Sequence, residues 1–509
     1  LSQLRFIAWP EQTWGMNINR WIPSREEDLY WVMVPARQSG YASRFGDLAG
    51  LSGVRPVRRV EVMPYVASGA TLRSGVDPED PFTGAREGAL RAGADLKVGL
   101  GSNLTLDATV NPDFGQVEAD PAEVNLGVFE TFFGEKRPFF TEGSQLLSGG
   151  GAGYFYSRRI GAPPRGTASG DFVRVPDNST ILGAAKLTGR LPSGLSIGVL
   201  GAVTDRERAR VYHADGDSVG KVEVEPRAGY AVARLQQQIG RSTVGATLTG
   251  VTRALDAGSA LEARLPGEAV SGGVDWDLRF GGGAYRVNGF AGGSHVRGDS
   301  LAVLRLQRSP ARYFQRPDAG HVEVDPSRTT LSGYTAGVTA ARISGEPWVW
   351  TVSGSVRSPG LELNDLGQLS TADGVSGYAE LRYRRTRPTG PFRSFDVFVT
   401  PEAGWNLGGT RTGGTLWLDA VGTWRNRWRS DFTTFYQPRA QSPTASRGGP
   451  LVGTRAQWAV INRLSSSGAA RFRWNGRVYY GENEDGRATY RLSGGVAFRP
   501  GPRWQLSAD

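Results

Sequence analysis

The stretch GAARFRWNGRVYYG, residues 468–481, decides the fold. Its even positions carry Ala470, Phe472, Trp474, Gly476, Val478 and Tyr480, and its odd positions carry Arg471, Arg473, Asn475 and Arg477. Successive side chains of a β-strand point to opposite faces, so this is a ribbon with one apolar and one cationic face. The same period recurs over 270–280, where Val274, Trp276, Leu278 and Phe280 alternate with Asp275, Asp277 and Arg279. It recurs over 375–384, where Ala379, Leu381 and Tyr383 face away from Glu380, Arg382 and Arg384. It recurs again over 395–406, where Val397, Val399, Ala403 and Trp405 oppose Asp396, Thr400 and Glu402.

A soluble sandwich alternates in the same way, so length and loop rhythm must separate a core-facing from a lipid-facing apolar side. Strands are expected in pairs at 181–190 and 194–204, 226–238 and 241–252, 268–281 and 283–295, 330–343 and 347–357. Further pairs are expected at 373–387 and 391–406, 414–425 and 427–437, 451–463 and 468–481, 487–498 and 502–509. Upstream, 57–70 reads as a single strand and 91–101 with 103–112 as a hairpin. Most reach ten residues or more, the length of a tilted membrane strand rather than of an ordinary one. Links within a pair are short, such as Gly281-Gly282 or Ser465-Ser466-Ser467, whereas those between pairs (205–225, 253–267, 296–329, 438–450) are long and polar. Alternating short and long links are the pattern of an outer-membrane barrel.

Magnitude decides which face meets lipid. An arginine at the bilayer midplane costs about 2–4 kcal/mol on a barrel's outer face, so turning Arg471, Arg473 and Arg477 outward would cost roughly 6–12 kcal/mol, the stability of a whole domain. They are expected to line the lumen. Trp348, Trp350, Trp424 and Trp428 lie next to short turns, where an interfacial girdle places amphipathic rings. The expectation is an all-β, large antiparallel transmembrane barrel of about 18–20 strands, spanning 57–509, with 113–179 as a long loop or lumen segment. The visible count is odd, and a closing strand beyond Asp509 is expected.

Composition agrees. Among 509 residues, 71 glycines argue against a mainly helical protein, and the apolar runs are far too short for a membrane-spanning helix. The absence of cysteine removes disulfides, thiolate nucleophiles and cysteine zinc sites. Net charge is +10, yet only Lys97, Lys136, Lys186 and Lys221 are lysines. The arginines are dispersed through apolar stretches rather than gathered into the continuous basic face that nucleic acid requires, so no nucleic-acid partner is expected.

Two stretches break the strand rhythm. The first, to about Pro56, contains Leu1-Ser2-Gln3-Leu4-Arg5-Phe6, Trp14-Gly15-Met16-Asn17-Ile18-Asn19-Arg20 and Ser43-Arg44-Phe45-Gly46. The second runs Asn111-Pro112-Asp113-Phe114-Gly115-Gln116-Val117-Glu118-Ala119-Asp120-Pro121 into Phe129-Glu130-Thr131-Phe132-Phe133-Gly134-Glu135-Lys136-Arg137-Pro138-Phe139-Phe140, then Tyr156-Ser157-Arg158-Arg159-Ile160-Gly161. Together these resemble the bacterial family called domain of unknown function 5916, in which a carbohydrate-binding module similar to family nine precedes an outer-membrane-type barrel. Gly134 stands where that family's run suggests proline. The resemblance implies that Leu1 to Phe6 ends such a module, with residues 1–56 as its tail and linker. It implies no reaction and carries over no catalytic residue.

The acids Asp113, Glu118, Asp120, Glu123, Glu130, Glu135 and Glu142 could ligate calcium or hydrolyse a glycoside, but their spacing is irregular. A constriction segment paired with lumen arginines such as Arg158 and Arg159 is the preferred reading, with Phe114, Lys136 and Arg137 beside the acids. His213, His295 and His321 all fall in or near long links, and Ser294 and His295 point to opposite faces, so a hydrolytic dyad is not expected. The assigned lumen holds twelve arginines (Arg279, Arg286, Arg382, Arg384, Arg425, Arg427, Arg429, Arg455, Arg463, Arg471, Arg473, Arg477) against seven acids (Asp275, Asp277, Glu380, Asp396, Glu402, Asp419, Asp431). That excess of five positive charges favours anionic solutes if the bore is open. The expected protein is a porin-like, non-enzymatic barrel in the outer membrane of a Gram-negative-type bacterium, contacting lipid, needing no cofactor or metal, and passing or anchoring carbohydrate or small anions. The alternative is a carbohydrate-binding or carbohydrate-active surface protein that uses its barrel only as an anchor.

Overall fold

The structure, a computed structural model, describes residues 10–22, 27–34, 41–53, 60–75, 77–84, 86–101, 103–112, 123–501 and 504–509. Among these residues, nineteen strands form one closed barrel. In chain order they are Val60–Leu72 (β1), Arg86–Leu100 (β2), Leu104–Val110 (β3), Ile181–Arg190 (β4), Leu195–Thr204 (β5), Ala228–Ile239 (β6), Ser242–Arg253 (β7), Glu268–Phe280 (β8), Tyr285–Arg297 (β9) and Thr330–Arg342 (β10). They continue as Trp348–Arg357 (β11), Gly374–Arg385 (β12), Phe392–Trp405 (β13), Arg411–Trp424 (β14), Arg429–Gln437 (β15), Gln457–Ser465 (β16), Phe472–Asn483 (β17), Ala488–Gly501 (β18) and Trp504–Ala508 (β19). Each strand pairs antiparallel with the next in sequence, and β1 and β19 are neighbours across the seam. An odd number of strands joined in this way leaves those two running in the same direction.

The faces sort as the arginine energetics require. Leu248, Val338, Val352 and Val478, from four different strands, keep 49–58 % of their surface uncovered, the signature of an outer face built for hydrocarbon. Their strand neighbours Thr247 and Thr249 on β7 are buried. Rings cluster near the short turns: Trp348 packs edge-on against Tyr383 at 4.9 Å and Trp428 against Trp474 at 5.1 Å, while Phe392 lies tilted against Trp424 at 4.6 Å. Val478 lies mid-strand on β17, so Val478→Arg should lower unfolding stability in lipid vesicles by about 2–4 kcal/mol, while a polar residue at inward Arg477 should cost far less.

Three links are more ordered than their polarity suggests. Residues 205–225, read as loop, hold strands Glu207–His213 and Ser218–Glu225, which add Phe172–Arg174 as a third. Buried Ala209, Val211 and Val224 alternate with charged neighbours and give this small sheet its own apolar side. Link 298–329 carries a helix, Ser300–Gln307, capped by the Asp299 carboxylate accepting from the Leu301 amide at 2.8 Å. In link 438–456, Ala440–Ser442 pairs with Val452–Thr454, so β16 starts at Gln457 rather than at 451. Upstream, Glu11–Met16 pairs with Gly46–Ser52, and Asn19–Ile22 with Glu27–Tyr30. Leu1 to Phe6 lies outside the described residues.

Candidate functional site

The β3–β4 link turns into the barrel. Its two unusual motifs, 129–140 and 156–161, meet there. Arg137 is extended (φ −71°, ψ 121°), as a residue before proline prefers, and Pro138 opens a single helical turn, Pro138–Thr141. The extended geometry folds Arg137 back on Glu135: Nε reaches Oε1 at 2.9 Å and Nη2 reaches Oε2 at 2.7 Å. The same carboxylate accepts from the Ser157 hydroxyl at 2.6 Å and from the backbone amides of Lys136 and Arg137. Arg137 then donates to the carbonyls of Ile160 (2.8 Å) and Ser157 (2.9 Å) and stacks 4.2 Å over Phe140. Around this fork, Arg159 holds Glu130 through two hydrogen bonds of 2.9 and 2.7 Å, Arg158 caps the Gly134 carbonyl, and the Tyr156 hydroxyl bonds the Phe133 backbone.

Burial acts to raise the Glu135 pKa, but the Arg137 guanidinium and the hydrogen bonds it receives outweigh burial and hold it below the ordinary 4.5. A carboxylate depressed in this way contributes stability that is complete above 4.5 and is lost as pH falls through its lower folded value. Proteolysis of the 130–160 region should therefore stay slow at neutral pH and accelerate on acidification below 4.5, and Glu135→Gln should abolish that dependence.

From this knot the segment follows the inner wall around the barrel. Buried Lys186 on β4 donates to the carbonyls of Glu142, at 2.6 Å, and Phe139, and lies 3.7 Å from Asp107 on β3. On β5 the Leu146 carbonyl sits where a Cβ on Gly198 would be, so only glycine fits. Gly149 and Gly150 lie against Arg234, Thr247 and Asp275, which form their own network: Arg234 to Asp275 at 2.6 and 3.0 Å and to Thr247 at 2.8 Å. The Tyr154 ring ends between Gly273 on β8 and Gly292 on β9. Phe140, Leu147 and Ile160 pack with Leu200, Val232 and Val251, a second core inside the barrel.

Other links brace it. The Tyr156 amide donates to Leu366 (2.7 Å) and the Gln368 amide to Gly153 (2.8 Å), joining the segment to link 358–373. That link is held in turn by Arg312–Glu362 at 2.7 Å, where both side chains are almost fully buried.

Among the described residues, no hydrogen bond or ion pair joins the interior segment to the strands of the opposite wall. Direct cross-strand partners run from Arg382 through Phe398, Asp419, Thr433, Ile461 and Tyr479 to Arg491, an inward row across β12–β18. One step toward the long links, Trp417 packs on Phe435 at 4.8 Å. Arg382 lies 4.2 Å over Phe398, and Arg491 lies 5.4 Å over Tyr479. One step toward the short turns the row is Arg384, Asp396, Val421, Asp431, Arg463, Arg477. Arg384 pairs with Asp396 at 2.9 Å and Asp431 with Arg429 at 3.0 Å. Arg463 and Arg477 face each other directly, both exposed and neither in an ion pair among the described residues. Like charges directly opposite destabilise a sheet, and Asp431, the carboxylate opposite Arg463 on β15, is itself held by Arg429, so this pair has a cost.

Of the expected lumen residues, Asp275 binds Arg234, while Arg279 and Arg286 share Asp277 at 3.5 and 3.0 Å. Glu380 binds Arg382 at 3.1 Å, Glu402 lies exposed toward the long links, and Arg473 lies on the inward face of β17. Arg471 falls in the 466–471 turn, Arg425 and Arg427 in the 425–428 turn, and Arg455 in a long link beside Asp485, because their ladders end before them. Glu130, Glu135, Lys136, Arg137, Arg158 and Arg159 gather inside, whereas Asp113, Phe114, Glu118 and Asp120 lie outside the described residues. Lys97, Asp107, Lys186, Arg234 and Arg491 are further inward charges that the two-residue period does not single out. Lys186 interrupts an otherwise apolar run in β4, the one signal that marked it.

A family model described as Domain of unknown function (DUF5916) matches residues 56–508. No curated protein matches the chain. Among solved structures, the open form of the ferric-catecholate import receptor Fiu from E. coli K12 is similar at 8 % identity, over 92 % of this chain and 72 % of that one, with a TM-score of 0.26. A mutant of the ferric enterobactin receptor PfeA from Pseudomonas aeruginosa is similar at 10 % identity, over 92 % and 76 %, with a TM-score of 0.29. Superpositions this loose say nothing about what the chain binds.

Proposed function

We propose, from the premise that the chain belongs to the DUF5916 family, that it is an outer-membrane barrel of a Gram-negative-type bacterium whose half-filled lumen passes small anionic solutes. The observation that carries this reading is the Arg463–Arg477 pair, two exposed guanidiniums facing each other across the wall the interior segment leaves bare. A closed structural lumen would neutralise such a pair; a passage for anions uses it. Barrels of this size are too wide for side chains to fill, so a narrowing must come from an inserted segment, and residues 123–160 supply one. The inward aromatic rings Phe398, Trp417, Phe435 and Tyr479, interleaved with Arg382 and Arg491, support ring-bearing anions such as acidic glycan fragments as the solute, since amphipathic ring faces stack there while guanidinium holds the charge. No catalytic chemistry is assigned.

Planar bilayers test the reading. Discrete conductance steps are expected, with a reversal potential showing anion preference and transient block by acidic but not neutral oligosaccharides. Electrical silence, together with retention of glycan by the intact protein, would replace it with the anchor reading.

A further inference from the structure

A cavity of about 440 Å³ opens between the interior segment and the long links, away from the β12–β18 wall. Four acids, Glu130, Glu225, Glu362 and Asp365, line it. Each is already matched to an arginine: Glu130 to Arg159 at 2.7 Å, Glu225 to Arg165 at 2.7 Å, Glu362 to Arg312 at 2.7 Å and Asp365 to Arg253 at 2.7 Å. One more arginine lines the cavity. Arg264 sits in the turn 259–265, anchored by buried Leu261 and Leu265 and closed by the Leu265 amide donating to Leu261 at 2.8 Å. Its side chain makes no ion pair or hydrogen bond among the described residues. Arg253 is wholly buried and committed to Asp365 and to the Pro266 carbonyl, so it is not available to a ligand.

We propose that this cavity binds a small organic monoanion, a carboxylate on a ring or apolar body. With Glu362 paired by Arg312, which lies outside the lining, Arg264 is the one lining guanidinium left without a carboxylate; one negative charge matches it and a dianion exceeds it. The volume lies in the range of small-molecule sites, and Phe129, Leu306 and Leu369 provide apolar wall for the body of the ligand. Arg264 reads the carboxylate.

The test uses the full chain in detergent micelles and equilibrium dialysis against an isosteric pair, 4-nitrobenzoate and 4-nitrobenzamide, with protein-free micelles as blank. One equivalent of 4-nitrobenzoate should be retained, with affinity about tenfold or more above the amide, the value of a charge-assisted hydrogen bond. Arg264→Gln should remove that difference and Arg264→Lys should keep part of it, in protein whose heat-dependent gel shift is unchanged. Equal retention of acid and amide by the parent overturns the proposal. Undiminished retention of the acid by folded Arg264→Gln overturns it as well.

Discussion

Single channels of the Arg137→Ala protein should carry severalfold more current than those of the parent. Arg137 and Glu135 are each 13 % exposed at the side chain, so removing the guanidinium leaves a mostly buried carboxylate without its partner, at a cost of about 3–5 kcal/mol. It also frees the carbonyls of Ser157 and Ile160, which tie the two motifs together. A loss of that size shifts the docked-to-undocked ratio of the segment more than a hundredfold, enough to turn a constriction into a mobile loop. The barrel strands do not use Arg137, so the heat-dependent gel shift should persist. Arg137→Lys keeps the charge but not the planar fork, and should fall between the two. Unchanged current, with 130–160 open to trypsin, would mean that the segment does not set the bore.

Charge reversal at the bare wall should invert ion preference. Arg463→Glu with Arg477→Glu replaces two facing positive charges with two negative ones in a water-filled bore. At about 1 kcal/mol per contact between unit charges in water, the anion-to-cation permeability ratio should fall by tenfold or more and cross unity. The effect should be largest at low salt and shrink as the Debye length shortens. Reversal potentials under a potassium chloride gradient, at two ionic strengths, measure it. The neutral pair Arg463→Gln with Arg477→Gln separates function from architecture: anion preference should weaken, while stability should hold or rise by roughly 0.2–1 kcal/mol as the like-charge contact is relieved.

Hairpin order, strand length and the facing of the arginines were legible because lipid imposes a strict period of two, and β17 obeys it along its length. That period does not mark where a strand stops. Counting onward through the alternation placed Arg471 in the ladder, although pairing ends at Phe472 with Phe498. In β5 the alternation is muted: Val199 and Val203 face out and Leu200 and Ala202 face in, because an apolar core lies on both sides of the wall. An interior core leaves that trace in the sequence, a strand apolar on both faces. The partners of the constriction acids were half legible. Glu130 does meet Arg159, but Glu135 meets Arg137, since Pro138 forces the extended backbone that turns the guanidinium back. The Lys186–Glu142 contact joins residues 44 apart in sequence, and no local pattern encodes it.

The interior segment leaves the wall at the end of β3 and rejoins it at the start of β4, and those two strands are hydrogen-bonded neighbours from Leu104–Gly189 to Val110–Gly183. Both attachment points therefore sit side by side on one rim. A segment tethered in this way is captive: it can swing on its hinge like a hasp, but it cannot be ejected as a free-standing cork is.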